Sequence, residues 1–198
     1  MTPPDIQALQ DQLDAVERDA RKLVSGLNEK LGDWRSREDS WSVAECLDHL
    51  AIGNRIYLSA MQAAAQQARK QGRERRNPAK PGLIGRWFVS YLEPPVKAFK
   101  TKAPRSIRPR KAPALSDTFD QFIESHYQMR TFLNSNADLD LAKIRFVNPF
   151  IRGVRFSLAT GLHVIPAHER RHLWQAWRVR KLAEENVGVK SAAADSKP

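Results

Sequence analysis

The chain is 198 residues long with a formal net charge of +11, a size that suits one domain with a sizeable core. Its single cysteine, Cys46, excludes an internal disulfide, and no apolar run of about 18 residues is present to cross a bilayer. The basicity is local: residues 69–111 hold 14 Lys/Arg against 2 acids, Glu74 and Glu93, whereas the remainder holds 19 against 20, which argues against a polyanion-binding character for the chain as a whole.

Strand signals are scarce, with no sustained period-2 alternation and no Asn-Gly or Asp-Gly hairpin turn. Helical periodicity dominates. Ile6, Leu9, Leu13, Val16, Leu23, Leu27 and Leu31 recur at threes, fours and sevens. They predict a first helix over 3–32, with Thr2 as its cap and Pro3 at its first position. Ser42 followed by Glu45 forms a capping box with Trp41 and Cys46 at the staple positions, and predicts a second helix from 42 to 71. His49 falls in its second turn, close to the stripe of Cys46, Gly53, Tyr57 and Ala60.

Residues 72–113 read as a basic, proline-rich insertion. Its flanks, GRERRNPAKPG and KTKAPRSIRPRKAP, are expected to be extended or mobile. Between them LIGRWFVSYLEPP predicts a short helix that packs on the domain or bridges to a partner. A third helix is predicted over 116–135, capped by Ser116, with Asp117 and Asp120 in its first turn. Residues 136–156 read as a loop containing Pro149 and Gly153. The last helix is predicted over 157–186, with Pro166 expected to kink it or mark a restart. The fold class is therefore all-α, a four-helix bundle forming one domain over 1–187, with 188–198 as a disordered tail. The acidic, amphipathic N-terminus MTPPDIQALQDQLD is unlike a secretory signal, and with one cysteine it points to the cytoplasm.

Three histidines stand out. His168 and His172, four apart in PAHERRHLWQ, share one helix face one turn apart. His49 sits far upstream on another inward stripe. Imidazole is a common ligand for borderline transition metals, and three neutral imidazoles from two helices leave open coordination positions. The alternative is a set of hydrogen-bonded core histidines. Glu45, one turn before His49, could be a fourth ligand, orient an imidazole or simply complete the capping box. Gln175, one turn after His172, could reach bound water or substrate. His126 could line the pocket or pack in the core, and Cys46 is more simply a small buried hydrophobe. His163 is rotated about 140° from His168 on an ideal helix and is left out of the site. Glu169, Arg170 and Arg171 fall largely on other faces and read as surface charge or interhelical pairing.

The segments W-S-x-x-E-x-L-x-H-L at Trp41–Leu50 and H-E-R-R-H-L-W-Q at His168–Gln175, together with the order of the helices, resemble the DinB/YfiT-like metalloenzyme superfamily. The resemblance implies a four-helix bundle whose divalent metal is bound by His49, His168 and His172. Zinc or nickel is the expected ion, with iron or manganese as alternatives. It further implies a metal-dependent transferase that uses a low-molecular-weight thiol, such as bacillithiol or mycothiol, on a small electrophilic substrate, or a related isomerase or hydrolase. A homodimer is also expected. The basic insertion lies outside the family's pattern. It supports a rival reading, in which Arg73, Arg75, Arg76, Arg105, Arg108 and Arg110, interleaved with Trp87, Phe88, Tyr91 and Phe99, bind nucleic acid or an anionic membrane surface. A third reading is a non-catalytic bundle that acts through its surfaces.

Overall fold

The computed structural model describes residues 2–95 and 103–195; Phe99 and the end of the expected tail lie outside them. Six helices occur in the order α1 (Pro4–Val24), α2 (Glu29–Gly32), α3 (Val43–Lys70), α4 (Leu83–Leu92), α5 (Leu115–Ser135) and α6 (Leu158–Asp195). A 3-10 turn, Arg105–Ile107, precedes α5, and two short strands, β1 (Arg145–Val147) and β2 (Arg155–Ser157), precede α6.

α1 buries Ile6, Leu9, Leu13, Val16, Ala20 and Leu23, as its periodicity requires. It is capped by Pro3 with Pro4 as its first residue, one position later than predicted. It also stops earlier. Gly26 takes the left-handed conformation at φ 75°, which a residue with a Cβ adopts at a cost. Asn28 then caps a new turn by accepting a hydrogen bond from the Leu31 N–H at 2.9 Å. The predicted helix over 3–32 is therefore two helices at an angle set by Gly26.

That short second helix matters for α5. Ser116 is not the cap of α5. Glu29 accepts from the N–H groups of Leu115 and Ser116 at 2.6 and 3.0 Å, so a carboxylate from another element neutralises the exposed helix end. The backbone donors of Ser116 and Leu115 hold the Glu29 carboxyl below its ordinary pKa.

α3 starts where predicted. Ser42 accepts from the Glu45 N–H at 3.1 Å, and Glu45 Oε2 accepts from the Ser42 N–H at 2.9 Å. α3 lies against both α5 and α6, and α1 also contacts both. Two apolar clusters fill the space between these four long helices. One includes Leu23, Leu47, Leu50, Phe122, Leu173 and Ala176. The other includes Ile6, Leu9, Met61, Met129, Leu133 and Leu158. Each such side chain contributes on the order of 1.5–3 kcal/mol by leaving water. Close approach is needed where α6 meets α3 and β1: a Cβ on Gly161 would stand 2.7 Å from Met61 Sδ and 2.9 Å from the Phe146 ring.

The predicted loop over 136–156 holds a small antiparallel hairpin, with Phe146 opposite Phe156. Three-residue strands are too short to display alternation, and Gly153 at φ 78° turns the chain between them. α6 passes through Pro166 without ending and continues to Asp195. The tail expected to be disordered from 188 is thus helical through Asp195, where Ala192, Ala193 and Ala194 favour helix.

In the basic segment 72–113, the described residues that follow α3 are more fixed than their composition suggests. Residues 73–79 run along the loop after α5, with Arg75 N–H donating to Asp138 O at 2.7 Å and Asp140 N–H to Arg73 O at 3.2 Å. Asp5 clamps the same stretch, accepting from both the Arg75 guanidinium at 2.7 Å and the Ala79 N–H at 2.5 Å. The composition signals polar, turn-rich chain, but each of these partners comes from a distant element.

Candidate metal centre

His49 is placed by the second turn of α3, and His168 and His172 by successive turns of α6. Their ligand-capable nitrogens all lie within 4.8 Å of one another. His49 Nε2 and His168 Nε2 are 3.3 Å apart. Ring centroids are 4.5 Å apart for His49 and His172, and 4.6 Å for His168 and His172, with edge-on geometry in both cases. The rings share one point because α3 and α6 pack directly.

The hydrogen bonds around the rings decide which nitrogens are free. His49 Nδ1 lies 2.6 Å from the Ile107 carbonyl oxygen. A carbonyl only accepts, so Nδ1 carries the proton and Nε2 keeps its lone pair. His172 Nδ1 donates to Gln175 Oε1 at 3.2 Å, which leaves its Nε2 unprotonated too. Trp41 covers the rings at 4.7 Å from His49 and 5.7 Å from His172. His49 is buried, whereas His168 and His172 are only partly so.

The electrostatics favour neutral imidazoles. Burial pushes the His168 pKa down to about 3, with His49 and Arg171 adding to the effect. Burial, then His168 and His49, lower His172 well below the usual histidine value. Burial also lowers His49, against the opposing pull of the Ile107 carbonyl and Asp48. Neutral imidazole is the form that binds a cation.

This donor set fits a divalent transition ion. Two nitrogens about 2.1 Å from one ion at a tetrahedral angle stand about 3.4 Å apart, close to the His49–His168 separation. The Nδ1 hydrogen bonds to Ile107 and Gln175 are the kind that orient metal-binding imidazoles. The three histidines form a group that could hold a divalent metal.

The other candidates are placed differently. Glu45 is fully engaged: Oε2 in the capping box and Oε1 with the Arg35 guanidinium at 2.7 Å. It does not join the histidine group. Gln175 contacts His172, so it touches the site through that ring. His126 lies in the core, its Nε2 2.8 Å from Glu169 Oε1 with both side chains fully buried. Of the two readings for Glu169, surface charge is excluded by its burial, and its partners on α3 and α5 make it an interhelical pair. It also accepts from Asn54 Nδ2 at 2.7 Å, and Asn54 reaches Ser125 Oγ at 3.0 Å. Its position had a signal: 165, 169, 173 and 176 make one core stripe of α6. Arg170 pairs with Glu93 at the end of α4, in keeping with the pairing alternative. Cys46 is buried outside the group, and burial pushes its thiol pKa upward. His163 also stays outside, its Nδ1 2.9 Å from the Ala159 carbonyl.

Sequence reasoning missed the contribution of the insertion. Asp48, beside His49, is fully buried. It accepts from the Arg110 backbone N–H at 2.8 Å and from the Arg110 guanidinium at 2.7 and 3.0 Å. That clamp pins the strand of chain that brings the Ile107 carbonyl to His49. Arg75 is paired with Asp5 and Arg110 with Asp48, and Arg110 stays exposed, as do Arg73, Arg76, Arg105 and Arg108. No spacing rule links residues 48 and 110.

Residues 12–176 match the family model described as DinB superfamily, a span that includes all three histidines. No curated protein and no solved structure matches the chain.

Proposed function

The chain belongs to the DinB superfamily, and on that premise we propose that it is a divalent-metal-dependent transferase built on a four-helix bundle of the DinB/YfiT-like type, with His49, His168 and His172 as the ligands. Zinc or nickel suits three imidazoles best in this reading, and the co-substrate is a low-molecular-weight thiol that attacks a small electrophile. The observation that supports it is the 3.3 Å approach of two imidazole nitrogens, with a third ring edge-on to both.

A divalent cation held by His49, His168 and His172 would supply Lewis acidity, which would favour the deprotonated form of a thiol whose ordinary pKa is about 8.5. The rest is the work of the chain. Ile107 and Gln175 fix the imidazole tautomers, so that Nε2 lone pairs are available at His49 and His172. Trp41 shields one side of the cluster from water. His168 and His172 keep part of their surface exposed, where a small molecule would meet the cluster.

The test begins with elemental analysis of untagged protein before and after chelation. Stoichiometric metal is expected in the native chain and its loss in His168→Ala and His172→Ala. A cobalt-substituted form should then change its visible spectrum on titration with small thiols. Protein that neither retains nor takes up metal would end the proposal. Metal binding with no spectral response to any thiol would retain the site and remove the transferase.

A further inference from the structure

α4 is apolar on both sides, and only one side is used by the fold. Inward, Phe88 stands 5.1 Å from Phe156, and Val89 and Leu92 join the core. Gly85 allows α4 to lie directly on α6, since a Cβ there would meet Thr160 Cγ2 at 2.9 Å. Outward, Leu83 is 77 % exposed, Ile84 79 %, Trp87 68 % and Tyr91 42 %. Arg86 is the helix's one charged residue and is exposed on the same side as Leu83 and Trp87 in sequence spacing. Exposed apolar side chains are ordinary when scattered, but here four of them line one ten-residue helix.

The hairpin, which meets α4 where Phe156 lies against Phe88, also carries exposed apolar groups. Val147 and Ile151 are 60 % and 37 % exposed. Residues 141–157 contain Lys143, Arg145, Arg152 and Arg155 and no acid. Among the described residues, none of these cations nor Arg86 reaches a carboxylate.

We propose that the outer side of α4, with the adjoining hairpin, is a docking surface for an anionic phospholipid bilayer. Leucine, isoleucine and the indole of Trp87 enter the acyl boundary, while the surrounding guanidinium and ammonium groups meet headgroup phosphates. The helix is short and lies flat in the interface, consistent with the absence, among the described residues, of any helix long and apolar enough to cross a membrane. The aliphatic side chains decide against nucleic acid, because Leu83, Ile84, Val147 and Ile151 offer bases neither a stacking plane nor a hydrogen bond. The charge decides against a second copy, which would set its own excess of cations against this one. The docked helix cannot detach freely, because Glu93 at its end pairs with Arg170 and the Tyr91 ring lies 6.0 Å from the Arg171 guanidinium. The proposal stands independently of the metal chemistry.

The test is vesicle flotation of the full chain, with phosphatidylcholine vesicles against vesicles that also contain phosphatidylglycerol. Binding is expected only with the anionic lipid and should weaken with salt. The exposed double variant I84S/W87S should lower the apparent affinity on the order of a hundredfold while leaving the thermal transition unchanged. Arg152→Glu with Arg155→Glu should reduce binding to the level seen with phosphatidylcholine. Equal affinity for both vesicles, or full binding by I84S/W87S, overturns the proposal. So does a concentration-dependent dimer that the serine variant abolishes without any vesicle binding, which assigns the surface to a second copy. Retention of an oligonucleotide in place of vesicles overturns it as well.

Discussion

Glu169 illustrates how a single side chain can be misread from its chemistry and explained by its neighbours. A carboxylate on a helix is ordinarily solvated, and burying one without partners is expensive. Here two donors, His126 Nε2 and Asn54 Nδ2, converge on Oε1, so the core of the domain contains a polar knot drawn from α3, α5 and α6. His126 Nδ1 and Glu169 Oε2 have no partner among the described residues. Truncation therefore removes the common acceptor: Glu169→Ala should lower stability by about 3 kcal/mol, because two buried donors lose their partner. Glu169→Gln keeps one acceptor oxygen and should cost about 1 kcal/mol. Urea unfolding of both variants measures the difference, and wild-type stability in Glu169→Ala would mean the network contributes nothing.

At the scale of elements, the insertion between α3 and α5 is part of the site. Its α4 is fastened to α6 next to the histidine pair, and its later stretch is fastened to α3 beside His49. Two constraints thus bear on the two helices that supply the ligands. Arg110→Ala should reveal the second one. It leaves Asp48 buried with fewer donors, at about 1–2 kcal/mol given that the Arg110 side chain is half exposed. It should also weaken metal binding about tenfold, because only the backbone N–H at position 110 then holds the segment whose Ile107 carbonyl orients His49. Lys111→Ala, an exposed neighbour, should change neither. Unaltered affinity in Arg110→Ala, read by competition with a chelator, would assign the clamp to stability alone.

The whole molecule responds to acid through its histidines. His168 has a pKa of about 3 in the fold against an ordinary 6.5, so the unfolded chain binds protons first as the pH falls. Stability from this group is fully present above about 6.5 and is lost as the pH drops towards 3; His49 and His172 are displaced in the same direction. A bound cation favours only the folded form, so loading should move the acid transition to lower pH. Thermal melts between about pH 7 and pH 4, with and without chelator, should show both effects. A metal-free melting temperature that stays flat across that window would contradict imidazoles held neutral by the fold.

The helices of this protein are written in local pattern. The capping box at Ser42 and Glu45 and the stripe from Ile6 to Leu23 each act within a few residues, and each produced the element expected of it. The histidine pair was legible for the same reason, since one helical turn sets its spacing, and His49 was legible because its stripe faces inward. Features that depend on distant partners were not. Glu29 caps α5 across 86 residues, Arg110 reaches Asp48 across 62, and Asp5 fixes Ala79 across 74. The same holds for the burial of Glu169 and for the hairpin whose strands are too short to alternate. Periodicity determines which face of a helix is apolar. Which polar group meets that face, and which apolar face is left without a neighbour, is decided only when the elements pack, because hydrogen bonds and ion pairs depend on separation in space and not on separation along the chain.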